Sequence, residues 1–144
     1  MKEHNSNEIS LSIAGFPIIS GRGEIGGAFV KLTPKSPRFA STVSLDGQVT
    51  RNSINDPRYD VSVFLMSTSE SNAFLSALHQ SDLNIPGGAG VGVFSIIDRQ
   101  SAGTVYFGEH CWVTMPPEHE IGEKPVLLEW KLEVVMAAPF IAGN

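Results

Sequence analysis

The sequence predicts a mainly β (α+β) domain: a β-barrel or sandwich of about seven or eight strands with one flanking helix. Two observations predict this class. Short runs of alternating apolar and polar residues are separated by turns rich in glycine and proline, which is typical of strands with one buried face. One segment, between residues 67 and 84, places its apolar residues at helical spacing instead.

Five strands are predicted before this helix. The first alternates apolar residues with serine and breaks at Gly15. Pro34 and Pro37 flank an exposed loop, because proline cannot join the ladder of a central strand. Asp46-Gly47 lies between two alternating runs and predicts a hairpin. The five strands span residues 9–13, 28–32, 39–45, 48–52 and 59–66.

The helix is predicted to begin at a capping box, in which the Ser67 hydroxyl and the Glu70 carboxylate each satisfy an exposed amide. Leu75 and Leu78 lie on its apolar side, and Pro-Gly-Gly at 86–88 ends it. Three more strands are predicted over residues 91–98, 104–115 and 126–136.

The final strand is the clearest two-faced element of the sequence. Glu129, Lys131 and Glu133 punctuate one face. The other face is apolar along its whole length, with Val126, Leu128, Trp130, Leu132, Val134 and Met136. Such a strand predicts a sheet with one dry face and one charged face.

Length and composition indicate one ordinary soluble domain, residues 1–144, with a core large enough to need no disulfide or metal. The net charge of -5 disfavours tight nucleic-acid binding, which depends on Lys and Arg neutralising phosphates. Cys111 is the only cysteine, so an internal disulfide is excluded. Neither a secretory signal nor a membrane-spanning run is visible, and we expect synthesis in the cytoplasm.

The glycine run at 87–92 does not fit a phosphate-binding loop. It follows a helix and enters a strand, whereas a phosphate loop leaves a strand and opens a helix. We expect a flexible connector or close backbone packing there.

Catalytic and metal-binding patterns are missing from the sequence. His110 and Cys111 are adjacent on a predicted strand and therefore point to opposite faces. Cys111 is expected to be a buried structural thiol on the same face as Val105, Phe107, Val113 and Met115. Glu109 interrupts that face and could be a buried acid, or could lie at a strand end or an interface. We predict no cofactor, no metal and no enzymatic activity.

Blocks along the chain resemble the tail tube proteins of contractile-tailed (myovirus-type) bacteriophages. No block is specific alone, and the resemblance lies in their order and spacing over nearly the whole chain. The blocks span residues 15–18, 45–52, 66–72, 75–79, 87–94, 97–98, 129–133 and 140–144.

The resemblance implies a viral tail tube, a structural part of the virion assembled in the host cytoplasm. Homohexameric rings would join their inner sheets around a lumen and stack into a tube inside a contractile sheath. Genomic DNA would pass down the lumen during ejection. The implied partners are other copies of the chain, the tail sheath protein, the tape measure protein, the baseplate hub and the tail terminator, with no membrane partner.

Two sets of candidate site residues accompany this interpretation. Extended loops after residue 32 and around residue 46 would contact stacked rings through Lys35, Arg38, Asp46 and Arg51. The polar face of the final strand, with Glu129, Lys131 and Glu133, would line the lumen, with Trp130 and its neighbours packed under the helix. An acidic ring would let DNA slide rather than stick.

Three alternatives share some of these features. A baseplate or tail-terminating ring would have the same fold but stop at one ring. A type VI secretion or bacteriocin tube would look alike. A monomeric small-ligand barrel would run as a single species and enclose an apolar cavity.

Overall fold

A computed structural model describes residues 9–18, 29–98 and 104–137 of the chain. The glycine-rich stretch at 21–27, the turn at 101–103 and the block at 140–144 lie outside these residues. The described ranges contain nine strands and one helix. They are β1 (Ile9–Ile13), β2 (Phe16–Pro17), β3 (Val30–Pro34), β4 (Phe39–Val43), β5 (Val49–Ser53), β6 (Arg58–Met66), α1 (Ser71–Asn84), β7 (Gly92–Asp98), β8 (Thr104–Met115) and β9 (Leu127–Met136).

Seven of the strands form one antiparallel sheet in the order β2-β1-β7-β8-β9-β6-β3. The inner faces of β1 and β6 belong to the same core, although these two strands lie four positions apart in the sheet order. The sheet must therefore curl around that core. This sheet and the single described helix confirm the mainly β class. The two-residue strand β2 was not predicted from the sequence.

The predicted alternation of the last strand is confirmed. Leu128, Trp130, Leu132, Val134 and Met136 are all buried, while Glu129 and Lys131 are exposed. The strand pairs with β6 along its whole length and with β8 on its other side. It is therefore a central strand whose inner face supplies much of the core.

The helix begins three residues later than predicted, since its N-cap is Glu70 and not Ser67. Ser67 still pairs with the chain leading into β9: its N–H donates to the Val126 carbonyl at 2.8 Å, and its hydroxyl accepts from the Val126 N–H at 3.1 Å. The helical N-cap is Glu70, without a side-chain capping bond. The capping box was a wrong prediction because Ser67 is used by the sheet. The helix has fourteen residues and is not long and apolar enough to cross a membrane.

Two bulges in β8 change which residues share a face. Gly108 pairs with Met136 while His110 pairs with Val135, so Glu109 is an extra residue in β8. A second extra residue, Thr114, lies between the partners of Leu132 and Lys131. Each extra residue reverses the alternation that follows it.

The predicted burial of Cys111 is confirmed, but the bulges correct the set of residues that share its face. Cys111 and Val113 are buried, whereas Val105, Phe107 and Met115 are exposed on the outer side of the sheet. Glu109 is exposed as well, so it is not a buried acid. His110 is exposed beside the buried Cys111, which confirms that the two side chains point to opposite faces.

Gly90, within the glycine run after the helix, allows close packing. A Cβ on Gly90 would lie 2.3 Å from the Cβ of Asp82 and 2.7 Å from the Leu78 carbonyl oxygen. The Gly90 N–H also points toward the Asp82 carboxylate, at 3.4 Å. Close approach of the chain to the end of the helix therefore explains this glycine, as the sequence suggested.

Candidate assembly surfaces

The outer face of the sheet has a charged half on β9, β6 and β3. Lys131 pairs across the ladder with Ser62, and Glu133 pairs with Asp60. The three predicted lumen-facing residues, Glu129, Lys131 and Glu133, all belong to this face because their neighbours in the strand are buried. The structure thus brings them together on one surface, which we call the charged half.

Lys35 joins the charged half from the connection between β3 and β4. Its Nζ lies 2.9 Å from Glu133 Oε1 and 3.1 Å from Asp60 Oδ1. Glu133 is only 14% exposed, so its carboxylate is held close to the sheet. Hydrogen bonds to Glu133 and Asp60 raise the pKa of Lys35 above its ordinary value of 10.5. Lys35, predicted for ring stacking, is therefore already paired within its own chain.

A second ionic cluster holds the return connection before β6. Arg58 Nε donates to Asp56 Oδ1 at 2.8 Å, and its Nη2 donates to Oδ2 at 3.0 Å. The Ser36 hydroxyl donates to Asp56 Oδ2 at 2.9 Å. These bonds, with Arg58 the largest cause, hold the pKa of Asp56 well below its usual range. Both connections that lead to β4 and β5 are thereby fixed to the body of the domain.

Positive and negative groups are balanced in and beside the charged half. The bases are Lys31, Lys35, Arg58 and Lys131, and the acids are Asp56, Asp60, Glu129 and Glu133. The acidic excess of the chain thus lies elsewhere, for example at Glu118, Glu120 and Glu123 in the connection between β8 and β9. Repulsion of phosphates by this surface alone is not supported by its local charge.

The strands β4 and β5 form a separate two-stranded hairpin in which every residue is exposed. Their register places Phe39, Val43 and Val49 on one side, together with Arg51, Ser41 and Ser53. We call this side the apolar face of the hairpin after its three large side chains. The Arg51 guanidinium lies 4.3 Å from the Phe39 ring centroid. The predicted hairpin is confirmed, with a turn over residues 44–48 that is longer than the Asp46-Gly47 pair.

The other predicted stacking residues lie on or beside this hairpin. Asp46 is used in the turn, where its carboxylate accepts from the Ser44 hydroxyl and from the Gln48 N–H. The Ser44 hydroxyl is the largest cause that lowers the pKa of Asp46. Arg38 donates to Asn55 Oδ1 at 3.3 Å across the base of the hairpin. Arg38 and Arg51 are exposed, and no described acidic group forms a salt bridge with either.

An apolar patch occupies the outer face of β7 and the first half of β8. Ile97 and Val105 are direct partners in the ladder, and Phe107 is opposite Ser95. With Val93, these four side chains are between 39% and 46% exposed. We refer to Val93, Ile97, Val105 and Phe107 as the apolar patch. Strict alternation along β8 would have put Val105 and Phe107 in the core, so sequence reasoning missed this surface.

The helix is fixed to the core by a polar contact at Trp130. Its indole Nε1 donates to Asn72 Oδ1 at 2.9 Å, and the Asn72 amide donates to the Met66 carbonyl at 2.8 Å. Phe74 of the helix stacks on Phe16 with 4.3 Å between ring centroids. Trp130 therefore lies beneath the helix, as expected.

The described residues hold no chemistry that suggests a reaction centre. No group of three His, Cys, Asp or Glu residues within residues 9–18, 29–98 and 104–137 could hold a metal ion. Burial raises the pKa of the Cys111 thiol to about 12, so the thiol stays protonated and inert at neutral pH. A recess of about 440 Å³ lies on the outer surface, with apolar and charged residues such as Phe64, Glu118 and Lys131. It differs from the enclosed apolar cavity of a small-ligand barrel.

Comparisons with known proteins place the fold. No protein-family model and no curated protein matches the chain. Three solved structures are similar over nearly its whole length. The first is a chain of the anti-feeding prophage (AFP) tube terminating cap, with a TM-score of 0.60 and 8% identity over 99% of this chain and 93% of that one.

The other two belong to the extended state of PVC, an extracellular contractile injection system. A chain of its sheath/tube terminator has a TM-score of 0.57 and 12% identity, covering 96% of this chain and 99% of that one. A chain of its sheath-tube complex has a TM-score of 0.53 and 11% identity, with coverage of 93% and 90%. The chain therefore has a fold found in tube and terminator assemblies of contractile injection systems. The similarity is not specific to a bacteriophage tail tube.

Proposed function

We propose that this chain is a ring-forming structural protein that closes the tube of a contractile, tail-like particle, as a terminator or cap. The observation that carries this proposal is the shared fold over 99% and 96% of the chain with structures of a tube terminating cap and a sheath/tube terminator. Both cover almost all of the compared chains as well, so the likeness is not limited to a common sheet.

The exposed surfaces support an assembling role. A hairpin with an uncovered apolar face and a sheet with an uncovered apolar patch are both unfavourable in water, because burial of apolar area is what stabilises such elements. A neighbouring copy or another tube component would cover them. The role is structural, without enzymatic activity.

A tail tube protein is the second candidate, and the block resemblance and the sheath-tube complex of PVC favour it. A terminator forms one ring at the end of a tube, whereas a tube protein continues ring upon ring. The comparisons favour the terminator, since two of the three structures contain tube-terminating parts.

In either role, the ring would be a homohexamer whose lumen is lined by the charged half, with Glu129 and Lys131 exposed to the channel. Stacked partners would meet Arg38 and the hairpin turn at Asp46. The sheath, the tape measure protein and the baseplate hub would be partners, and DNA or another cargo would pass the lumen. In a bacteriophage the assembly would be in the virion, after assembly in the host cytoplasm.

Electron microscopy of the purified protein tests the proposal, with native mass spectrometry to count the copies in each particle. Single rings of uniform size support a terminator. Long tubes support the second candidate. A protein that remains monomeric over a wide concentration range contradicts both. A lumen probe, such as a bulky thiol label on Lys131→Cys, should appear inside the ring. Density on the outer surface would contradict the assignment of the charged half to the lumen.

A further inference from the structure

Within residues 9–18, 29–98 and 104–137, no apolar surface covers the hairpin. Phe39, Val43 and Val49 are between 52% and 69% exposed, although they share one face. The opposite face is built of small and polar residues such as Thr42 and Thr50. An isolated two-stranded hairpin is only marginally stable in water, so a hairpin of this kind normally packs against another element.

The apolar patch is a second exposed apolar surface of the chain, and it could cover the apolar face of the hairpin. Ile97 and Val105 are partners in the ladder, and Phe107 follows Val105 by two residues and is diagonal to Ile97, so the side chains form a continuous area. Glu109, the extra residue of the first β8 bulge, is exposed two residues beyond Phe107. No ion pair to Glu109 is formed by the described residues. The patch thus combines apolar side chains with one unneutralised acid.

The two surfaces do not meet within one molecule. The hairpin follows β3, which is an edge strand of the sheet. The patch lies on β7 and β8, which are separated from β3 by β6 and β9. Both surfaces stay exposed in the folded chain.

We propose that the apolar face of the hairpin of one copy docks on the apolar patch of a neighbouring copy in the ring. Phe39, Val43 and Val49 cover Val105 and Phe107, while Arg51 approaches Glu109. The complementarity is both apolar and electrostatic: Arg51, a cation of the hairpin face, meets Glu109, an exposed acid beside the patch. This inference rests on the proposed ring-forming function, and it assigns Arg51 to contacts within a ring rather than between stacked rings.

The symmetry of such a contact agrees with a ring. The contact uses different surfaces on the two partners, and a contact of this heterologous kind closes into a ring when its rotation allows. It contrasts with a two-fold contact, in which hairpin would meet hairpin. The two arrangements can be separated with single-cysteine variants.

The first experiment co-expresses Val49→Cys with Val105→Cys and adds a short bis-maleimide cross-linker at neutral pH. Cys111 stays silent because it is buried and its thiol pKa is about 12. We expect cross-linked dimers from the co-expressed pair and none from either variant alone. Cross-linking of Val49→Cys alone would reveal a hairpin-to-hairpin contact and overturn the proposal. Rings that assemble from the co-expressed pair but give no cross-link between the two variants overturn it as well.

The second experiment exchanges the charges. Arg51→Glu and Glu109→Arg should each weaken ring formation by about tenfold, because like charges would then face each other. The double variant should recover most of that loss, and Glu123→Arg serves as the control for a general charge effect. Rings formed equally by all variants contradict the docking contact but leave the terminator proposal standing. A wild-type chain that forms no rings contradicts the proposed function and, with it, the docking.

Discussion

The Lys35 ammonium lies 2.9 Å from the Glu133 carboxylate and 3.1 Å from Asp60. The sequence assigned Lys35 to ring stacking and Glu133 to the lumen, but the structure makes them partners. The connection that leads into the hairpin is therefore anchored on the charged half of the sheet.

Replacing Lys35 by Met should lower stability in a manner that depends on pH. The folded pKa of Lys35 is raised above 10.5, so its contribution is complete below pH 10.5 and is lost as pH rises through the higher folded value. The difference in urea midpoint between wild type and Lys35→Met should be constant near neutrality and shrink in strong alkali. Lys124→Met, at an exposed loop position, is the control. A difference that persists unchanged in alkali would contradict this assignment.

Replacing Asp56 by Asn should lower the stability of the fold at neutral pH, and this loss should disappear in strong acid. The pKa of Asp56 is lowered from 3.8 in the folded chain, so its contribution is present above pH 3.8 and is lost as pH falls through the lower folded value. Wild type should therefore be more stable than Asp56→Asn at neutral pH, and the two should converge in strong acid. Parallel curves down to the lowest pH would show that the stabilisation by Asp56 does not depend on its ionised carboxylate. Glu123→Gln provides the matched surface control.

Trp130→Phe tests the polar contact beneath the helix. It keeps an aromatic ring in the core but removes the bond to Asn72, which would leave a half-buried amide oxygen without this donor. We expect a loss of about 1–3 kcal/mol in the free energy of unfolding. Trp130→Ala should cost about 3–5 kcal/mol because a cavity is added. Trp112→Phe, on the outer face, is the control. An equal loss of unfolding free energy in this variant would show that the hydrogen bond to Asn72 does not account for the effect at Trp130.

Gly108→Ala tests why glycine precedes the bulge in β8. The added Cβ would lie 2.3 Å from Val134 Cγ1 and 3.0 Å from the Val135 carbonyl oxygen. Both neighbours belong to the central strand β9, so relief requires a shift of that strand, at a cost of about 1–3 kcal/mol. Gly122→Ala has open space around its Cβ and should leave the thermal midpoint almost unchanged. Equal midpoints for the two variants would contradict the crowding at Gly108.

The sequence was informative wherever a local pattern determines the outcome. Alternation in the last strand predicted the burial of Leu128, Trp130 and Leu132, because the two faces of a strand follow directly from backbone geometry. The Asp46-Gly47 pair predicted the hairpin because Asp-Gly favours the tight turns that join antiparallel strands. Long-range events were not accessible in this way. Ser67 looked like a helix cap but pairs with Val126, and only the assembled sheet makes that partner available.

The apolar patch and the ionic contact of Lys35 were missed for related reasons. The patch depends on the bulge at Glu109. This bulge is defined by the register between β8 and its neighbouring strands, which the sequence alone does not give. The Lys35 contact depends on a connection folding back over β6 and β9. Candidate residues could therefore be named from the sequence, but not which of them share a surface.

The extra residue in β8 also has an evolutionary consequence. Because Glu109 reverses the alternation, the outward display of Phe107 and the inward burial of Cys111 depend on the number of residues between them and not on their type. Loss of one codon at this position would direct Val105 and Phe107 to the side of Cys111, while the composition of the strand stayed almost the same. Small insertions and deletions in β8 are thus a more direct route to a changed outer surface of the sheet than substitutions are.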